Sequence, residues 1–435
     1  MNGWPRGRWL RFIVYLFLLG LFYHCFVFLL STSSHNPQQP SSSSETIIAN
    51  NQERRISPDH RHQQSSTALL PWYQQPHPNL VTSSSNYTTT HLSPLERLRL
   101  HENAVARAKQ VAEDVIGRIE GIPGTFKDTA EAANTFRSLV DCWTRGRWTR
   151  YATPFLVKNH FQDPLYGSCD RKAKGNPRDA LRYAWQPTCP LGPVDPTKWC
   201  EALDGRHMLM VGDLVQYAFH DVVLDVMRDG PTVCYGDMNC KDHTVCSIEG
   251  SESKMRFIRN DVLSTVRRVD RAKGHPSAEA IQMPFVSSNM LKAYSVYILS
   301  RGMVKETDED FIRELVEAMR LIRQGAPDAL IIYRSASVGH PYCDDARGPL
   351  EAKLSDDQLR LLPYGWSELD RRNAMARAIV ETAGGVFVDM AAITDVRPDG
   401  HVGGQDCLRY CIPGPMDTWA LILYHVLVTS RNQLY

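Results

Sequence analysis

The turn Gly212-Asp213-Leu214 is where this sequence would place a reactive side chain. It follows the apolar run 208–211 and precedes a helical pattern. In a parallel α/β sheet, such a turn points into the crevice where ligands bind, and the next helix N-terminus polarises its side chains. The usual form is Gly-Asp-Ser-Leu, with serine as nucleophile. Here leucine follows the aspartate directly, and no serine occurs between Gly205 and Cys246.

Blocks on either side of this turn resemble one family. The N-terminal blocks are Cys142-Trp143 with Arg147-Trp148, Trp185-Gln186-Pro187 with Cys189, and Gly205-Arg206 before Val211-Gly212-Asp213. The C-terminal block is Asp406-Cys407-Leu408-Arg409-Tyr410-Cys411-Ile412-Pro413-Gly414-Pro415-Met416-Asp417-Thr418-Trp419. It is similar to Asp-Cys-x-His-Trp-Cys-x-Pro-Gly-x-x-Asp-Thr-Trp, the closing motif of the trichome birefringence-like (PC-esterase) family. Arg334, Gly339-His340-Pro341 and Cys343 resemble its fungal-type branch.

The resemblance implies a fold, a cellular location and a reaction. It implies an SGNH-hydrolase-like α/β/α fold in a Golgi type II membrane protein that transfers acetyl groups to glycan hydroxyls; relatives are esterases. A serine would attack the acyl donor, a histidine held by an aspartate would take its proton, and backbone and asparagine groups would stabilise the oxyanion. The acyl donor would be acetyl-CoA or an acetylated intermediate, and no other cofactor is implied.

Three of the implied catalytic positions carry a different residue here. Leu214 stands at or beside the serine, Ser300 replaces the asparagine, and Arg409 replaces the histidine. Arginine keeps its proton at physiological pH and cannot act as a general base. Asp406 is retained, and we expect it to pair with Arg409 in a charge-assisted contact.

These departures predict impaired catalysis, because one lost triad member is enough to disable the mechanism. Two alternatives stay open. In the first alternative, the chain is an active acetyltransferase or esterase with rearranged catalytic residues. In the second, it is a non-catalytic partner of an active paralogue. His401 is the candidate substitute base, although a buried structural histidine is the simpler interpretation. The missing serine is either substituted or deleted, and a gene-model error would not also explain Ser300 and Arg409.

Other residues are candidates for binding a glycan rather than for catalysis. The substrate-binding candidates are Gly212, Asp213, Arg206, Arg301 and Trp185. Tryptophan either stacks on a sugar ring or packs in the core. The formal net charge of +1 argues against a dominant interaction with nucleic acid.

Cysteine usage indicates an oxidising compartment. Besides Cys25 the chain has Cys142, Cys169, Cys189, Cys200, Cys234, Cys240, Cys246, Cys343, Cys407 and Cys411. An even set on the lumenal side predicts disulfides, with connectivity open. The crowding of Cys234, Cys240, His243 and Cys246 also fits a zinc site. We expect a disulfide-stapled insertion there and no metal.

The N-terminal region predicts membrane attachment. Residues 12–30 contain no Asp, Glu, Lys or Arg and follow the basic segment 1–11. That length just crosses a bilayer core, and the positive-inside rule places the rest of the chain in the lumen of the Golgi or another secretory compartment. A cleaved signal peptide is the alternative. Residues 31–92 have the composition of a disordered stem, with a glycosylation sequon at Asn86.

The remaining sequence predicts a helical neck (93–137) and an α/β domain (138–435). A capping box at Ser93 starts the neck helix, which we expect to end near Glu120 and to pack on the domain, with self-association as the alternative. Apolar runs predict buried strands at 208–211, 294–299, 330–333 and 386–388. Helical patterns occur at 215–227, 308–323, 368–382 and 417–429. This alternation predicts a mainly parallel sheet covered on both faces.

Overall fold

The computed structural model describes residues 92–154, 169, 178–227, 238–248, 251–266, 268–270, 280–341, 343–359, 365–404 and 406–432, all within one compact unit, Ala68–Tyr435. The predicted membrane span, most of the stem, Asn86 and Cys234 lie outside these residues. Within them, no helix has both the length and the apolar character needed to span a membrane.

Helices and strands alternate through most of the chain. The helices are α1 (Pro94–Val115), α2 (Ala130–Thr144), α3 (Pro196–Leu203), α4 (Leu214–Met227), α5 (Ser288–Ala293), α6 (Asp308–Gly325), α7 (Asp356–Leu359), α8 (Leu369–Thr382), α9 (Ala391–Thr394) and α10 (Met416–Ser430). The strands are β1 (Gly146–Arg150), β2 (Tyr183–Pro187), β3 (Met208–Gly212), β4 (Asn239–Ile248), β5 (Ser251–Arg259), β6 (Arg268–Asp270), β7 (Ala280–Gln282), β8 (Val296–Leu299), β9 (Leu330–Arg334), β10 (Val386–Val388), β11 (His401–Gly403) and β12 (Asp406–Tyr410).

The main sheet has six strands in the order β10-β9-β8-β3-β5-β4. All neighbours pair in parallel except β4, which runs antiparallel to β5 at one edge. The four predicted strands are β3, β8, β9 and β10, and the predicted mainly parallel α/β class is confirmed. The sequence did not predict the β4–β5 hairpin, where we expected an insertion.

The central strand β3 is buried on both faces. Met208 and Met210 join the core formed with α4 and α10, whereas Leu209 and Val211 join the core formed with α1, α6 and α8. Alternate side chains of a strand point to opposite faces, so the sheet lies between two helical layers. This burial explains why the strand is a continuous apolar run.

Helix α1 is part of this packing. The predicted capping box is present: Ser93 Oγ accepts from the Glu96 backbone amide, and the Glu96 carboxylate accepts from Ser93 N at 2.7 Å. Buried alanines, Ala104, Ala108 and Ala112, then face the core shared with α6 and α8. The prediction that α1 packs on the domain is confirmed, although the helix ends at Val115. The boundary that we placed between residues 137 and 138 falls inside α2.

Disulfides tie the loops to this core. The pairs are Cys142–Cys189, Cys169–Cys411, Cys200–Cys246 and Cys343–Cys407. Cys240 is also disulfide-bonded. The predicted oxidation of these cysteines is confirmed. Since Cys246 is bonded to Cys200, its sulfur is not a thiolate available to zinc, and the stapled interpretation of this segment holds.

The four pairings predict a defined set of linked peptides. Digestion of the unreduced protein, with free thiols blocked first, should give each pair as one cross-linked species in mass spectrometry. Replacing both Cys169 and Cys411 by serine should lower the free energy of unfolding by about 2–5 kcal/mol, because the long closed loop restricts the unfolded chain. Substantial free thiol at any of these eight positions would contradict the assignment.

Candidate functional site at the carboxyl ends of the strands

The candidate site lies where three parallel strands end side by side. Gly212 ends β3 and Asp213 follows it, Ser300 to Gly302 follow β8, and Ser335 follows β9. The chain segments are in close contact. A Cβ on Gly212 would lie 2.6 Å from Gln216 Cβ, and one on Gly302 would lie 2.9 Å from Asp213 Cβ. The two glycines are therefore required by packing.

Asp213 caps the helix that follows it. Its Oδ1 accepts a hydrogen bond from Gln216 N at 3.1 Å and lies 3.6 Å from Nη2 of Arg334. Leu214 is the first residue of α4 and is partly buried. At the position expected of a nucleophile, the structure thus places an aliphatic side chain beside a helix-capping carboxylate.

A buried polar network fixes the register of α4. Gln216 donates through Nε2 to the carbonyl of Ile298 at 3.0 Å and accepts from Nε of Arg334 at 2.8 Å. Arg334 also donates to Ser335 O and lies 4.8 Å above the Trp419 ring. Burial lowers the pKa of Arg334, and Asp213 opposes that shift. One residue inserted before Leu214 would rotate α4 by about 100° and separate Gln216 from both partners.

Ser300 is poorly placed to stabilise an oxyanion. Its backbone amide donates to Val211 O at 3.0 Å, and its side chain has no solvent exposure. Among the described residues, its hydroxyl has no hydrogen-bond partner. A hydroxyl enclosed in this way cannot reach a substrate in the crevice.

This environment predicts the effect of Ser300→Ala. Removing an unpartnered buried hydroxyl should leave the free energy of unfolding unchanged or raise it by up to about 1 kcal/mol. The matched control is Ser335→Ala, since the buried Ser335 hydroxyl accepts from Ala391 N at 2.8 Å, and its loss should cost about 1–3 kcal/mol. Urea denaturation measures both changes. A cost above about 1 kcal/mol for Ser300→Ala would show that its hydroxyl has a partner.

Arg301, a predicted substrate contact, has structural partners instead. Its Nη2 lies 2.8 and 2.7 Å from the two carboxylate oxygens of Glu306 and 3.6 Å from Glu314. The guanidinium also lies 4.5 Å above the Phe311 ring, and only 1% of the surface of Arg301 is exposed to solvent. Although burial alone would lower the pKa of Arg301, these carboxylates raise it. A substrate could reach this guanidinium only if the ion pairs broke.

Two other substrate-binding candidates lie away from the crevice. Arg206 precedes β3, at the opposite end of the strand from Asp213, and donates to Gly124 O at 2.7 Å and Ala202 O at 2.8 Å. Trp185 Nε1 donates to Trp143 O at 3.0 Å, and its ring packs edge-on against Trp148. Neither side chain lies near Asp213. Both instead donate hydrogen bonds to backbone carbonyls of neighbouring segments.

Asp261 is a carboxylate that the sequence analysis missed. It follows β5 beside Asp213, and Gly302, which touches Asp213, donates its amide to Asp261 O at 2.7 Å. The Asp261 carboxylate accepts from Ile281 N at 2.8 Å and from Arg259 Nε at 3.0 Å. Burial raises the pKa of Asp261 to about 6, Arg259 opposes the shift, and Asp213 adds to it. An isolated aspartate between apolar runs gives no sequence signal for this role.

The predicted pair of Asp406 and Arg409 is present. Arg409 Nε donates to Asp406 Oδ2, and the Arg409 amide donates to Oδ1 at 3.0 Å. Both residues belong to β12, which pairs with β11 and packs against α4. The Asp406 carboxylate is thus occupied by Arg409, at the position where the resemblance implies a histidine.

His401, the candidate substitute base, is enclosed. Its Nε2 lies 2.7 Å from Nδ1 of His340, and its Nδ1 lies 3.1 Å from Arg409 O. The ring stacks on Tyr410 with centroids 4.2 Å apart. Burial holds the pKa of His401 well below its ordinary value, with His340 adding to the shift. Because both ring nitrogens have neighbours inside the protein, the structure gives His401 no open position from which to take a substrate proton.

Comparison of the sequence with known proteins does not assign the chain to a family. No family model matches the chain, and no curated protein matches its sequence. What the site can do therefore follows from its own residues. It has a capped helix, a buried guanidinium, two neighbouring carboxyl groups and an occupied Asp406, but Leu214 rather than a serine follows the Gly-Asp turn, and Arg409 rather than a histidine pairs with Asp406.

Proposed function

We propose that this chain is a secretory-pathway protein of the SGNH-like, trichome birefringence-like type whose acyl-transfer site has been dismantled and which acts by binding a glycan. The observation that carries the proposal is the ion pair between Arg409 and Asp406. In the mechanism that the resemblance implies, the aspartate holds a histidine that shuttles protons. A guanidinium bound to this carboxylate stabilises the hairpin but transfers no proton at neutral pH.

The rest of the site supports the same proposal. A Gly-Asp turn at the carboxyl end of the central parallel strand is where this class of fold carries its nucleophile, and Leu214 has no nucleophilic atom. Gln216 and Arg334 hold α4 in the register that starts at Leu214. The scaffold is thus well packed around a turn that lacks its serine. A scaffold kept intact without chemistry favours binding as the function.

Glycan binding without turnover is the test. Full-length protein in detergent is titrated with acetylated and deacetylated polysaccharide by calorimetry, and acetate release is followed in the same samples. The proposal expects saturable binding of at least one polysaccharide and no acetate above the rate in buffer. Enzymatic acetate release that His401→Ala abolishes would instead establish an active site rebuilt around another base.

The proposed address is a type II anchor through residues 12–30 in the Golgi or another secretory membrane, with the domain in the lumen. The disulfides of the domain support an oxidising lumen, in which such bonds persist. In sealed microsomes, protease added outside should leave the domain intact until detergent is added. Digestion of the domain in intact vesicles would overturn this topology.

A further inference from the structure

Two buried histidines join the β11–β12 hairpin to the loop after β9. His340 and His401 are 2% and 6% exposed. Their ring nitrogens form a chain between two backbone carbonyls: His340 Nε2 lies 2.9 Å from Asp395 O, His340 Nδ1 lies 2.7 Å from His401 Nε2, and His401 Nδ1 lies 3.1 Å from Arg409 O. A second contact, His340 N to Cys407 O at 2.9 Å, holds the same two segments together.

This row of hydrogen-bonding groups has three contacts, but two neutral imidazole rings carry only two N–H protons between them. A carbonyl oxygen accepts hydrogen bonds and never donates, so each end of the chain needs a proton on the ring. The central contact needs a third. The two shorter contacts are satisfied if His340 donates to Asp395 O and His401 donates to His340. The longest contact, from His401 Nδ1 to Arg409 O, then has no proton.

The surroundings oppose a third proton. Arg397 lies near the pair, but its guanidinium holds Asp399 at 2.8 Å, so their charges largely cancel. The Asp395 carboxyl accepts from Val338 N, burial holds its pKa well above the ordinary value, and Tyr410 covers the His401 ring. The Arg409 guanidinium is bound to Asp406. Burial lowers the pKa of His340 from 6.5 to about 4 and holds that of His401 well below its ordinary value. The Asp395 carbonyl and Asp399 oppose the shift of His340, and the carbonyls of Arg409 and Leu408 oppose that of His401, but burial outweighs them.

We propose that the His340–His401 pair is an acid-sensitive latch, which holds the hairpin carrying Asp406 and Arg409 while both rings are neutral and releases it when they are protonated. The mechanism is desolvation. Among the described residues near the latch, Asp399 is already paired with Arg397, so an imidazolium there is poorly compensated, whereas a ring released to water keeps its proton without the desolvation cost. Cys343–Cys407 and Cys169–Cys411 anchor the hairpin on both sides of Arg409, so release is local.

The sign of the pH dependence follows from the lowered pKa values. A released ring binds a proton below about 6.5, whereas a latched one does so only near 4. The latched state therefore loses stability as pH falls from 6.5 towards 4, and does not regain it below. At pH 5, one ring with this shift raises the opening equilibrium by about 20-fold relative to pH 7.

Hydrogen exchange in full-length protein tests the latch. Exchange of amides 401–410 is measured at pH 7 and pH 5 and corrected for the intrinsic rates. We expect protection of these amides to be about 20-fold lower at pH 5 than at pH 7, while β3 and β8 keep theirs. Unchanged hairpin protection, or an equal loss throughout the sheet, would overturn the proposal.

Two single variants sharpen the test. His401→Gln removes one titrating ring, and the pH-dependent loss in the hairpin should shrink by at least several-fold. His425→Gln is the matched control, since His425 lies elsewhere, with Nε2 2.9 Å from Gly192 O, and should leave the hairpin response unchanged. If His401→Gln fails to fold, the measurement on the unmodified protein still tests the proposal. A loss of protection confined to the hairpin supports the latch, and a loss throughout the sheet contradicts it. A full response in folded His401→Gln would refute the latch.

Discussion

The double variant Leu214→Ser/Arg409→His should release acetate from a generic acetyl ester, whereas each single variant should not. Serine at 214 supplies a nucleophile at the start of α4, and histidine at 409 supplies a base beside Asp406. Because triad members act as a unit, losing either one costs up to about 10⁶ in turnover. Each single variant should therefore remain at background, and only the pair should exceed it. Initial rates of 4-nitrophenyl acetate hydrolysis between pH 6 and 9 measure the effect.

Three controls accompany this experiment. Adding Asp406→Asn to the double variant should lower its rate by about 10⁴, because histidine then loses the carboxylate that orients it. Adding Ser300→Asn supplies an oxyanion donor but enlarges a fully buried side chain, so rate and stability should move in opposite directions. Inserting serine between Asp213 and Leu214 should destabilise the protein through loss of the Gln216 contacts. Activity in Arg409→His alone would show that the serine is not required.

Arg301→Met should lower the free energy of unfolding by about 3–5 kcal/mol, because it removes the buried guanidinium that pairs with the buried Glu306 and the partly buried Glu314. The matched control is Arg320→Met, which breaks an ion pair with Glu317 on the exposed side of α6 and should change stability little. Urea denaturation at pH 7 compares the two. Equal changes in the free energy of unfolding for the two variants would contradict the structural role of Arg301. A loss of glycan binding by Arg301→Met without a loss of stability would show that Arg301 binds substrate.

The sequence predicted the parallel strands because both faces of β3, β8, β9 and β10 are buried. Burial on two faces produces a continuous apolar run, which composition alone reveals. The β4–β5 hairpin lies at the edge of the sheet, where charged and apolar residues mix and cysteines suggest a loop. Its place in the sheet is set by pairing with β3, a tertiary contact without a local signal.

The site divides in the same way between local and long-range contacts. Asp406 and Arg409 are three residues apart, so their pairing was predictable from sequence. The ion pairs of Arg301 were not, since its partners are Glu306 in the next loop and Glu314 in α6. His340 and His401 lie in separate segments joined only by folding. Sequence therefore predicted contacts between near neighbours, such as Asp406 with Arg409, but not the buried polar contacts that join distant segments.

Intact-mass analysis of the unmodified full-length protein after treatment with a fluorophosphonate tests the central claim most directly. This reagent forms a stable adduct with an activated serine, as found in an acyl-enzyme mechanism. The account predicts no adduct on the unmodified protein and one adduct, at residue 214, on Leu214→Ser/Arg409→His. A stoichiometric adduct on any serine of the unmodified protein would show that an activated nucleophile is present and that the site has not been dismantled.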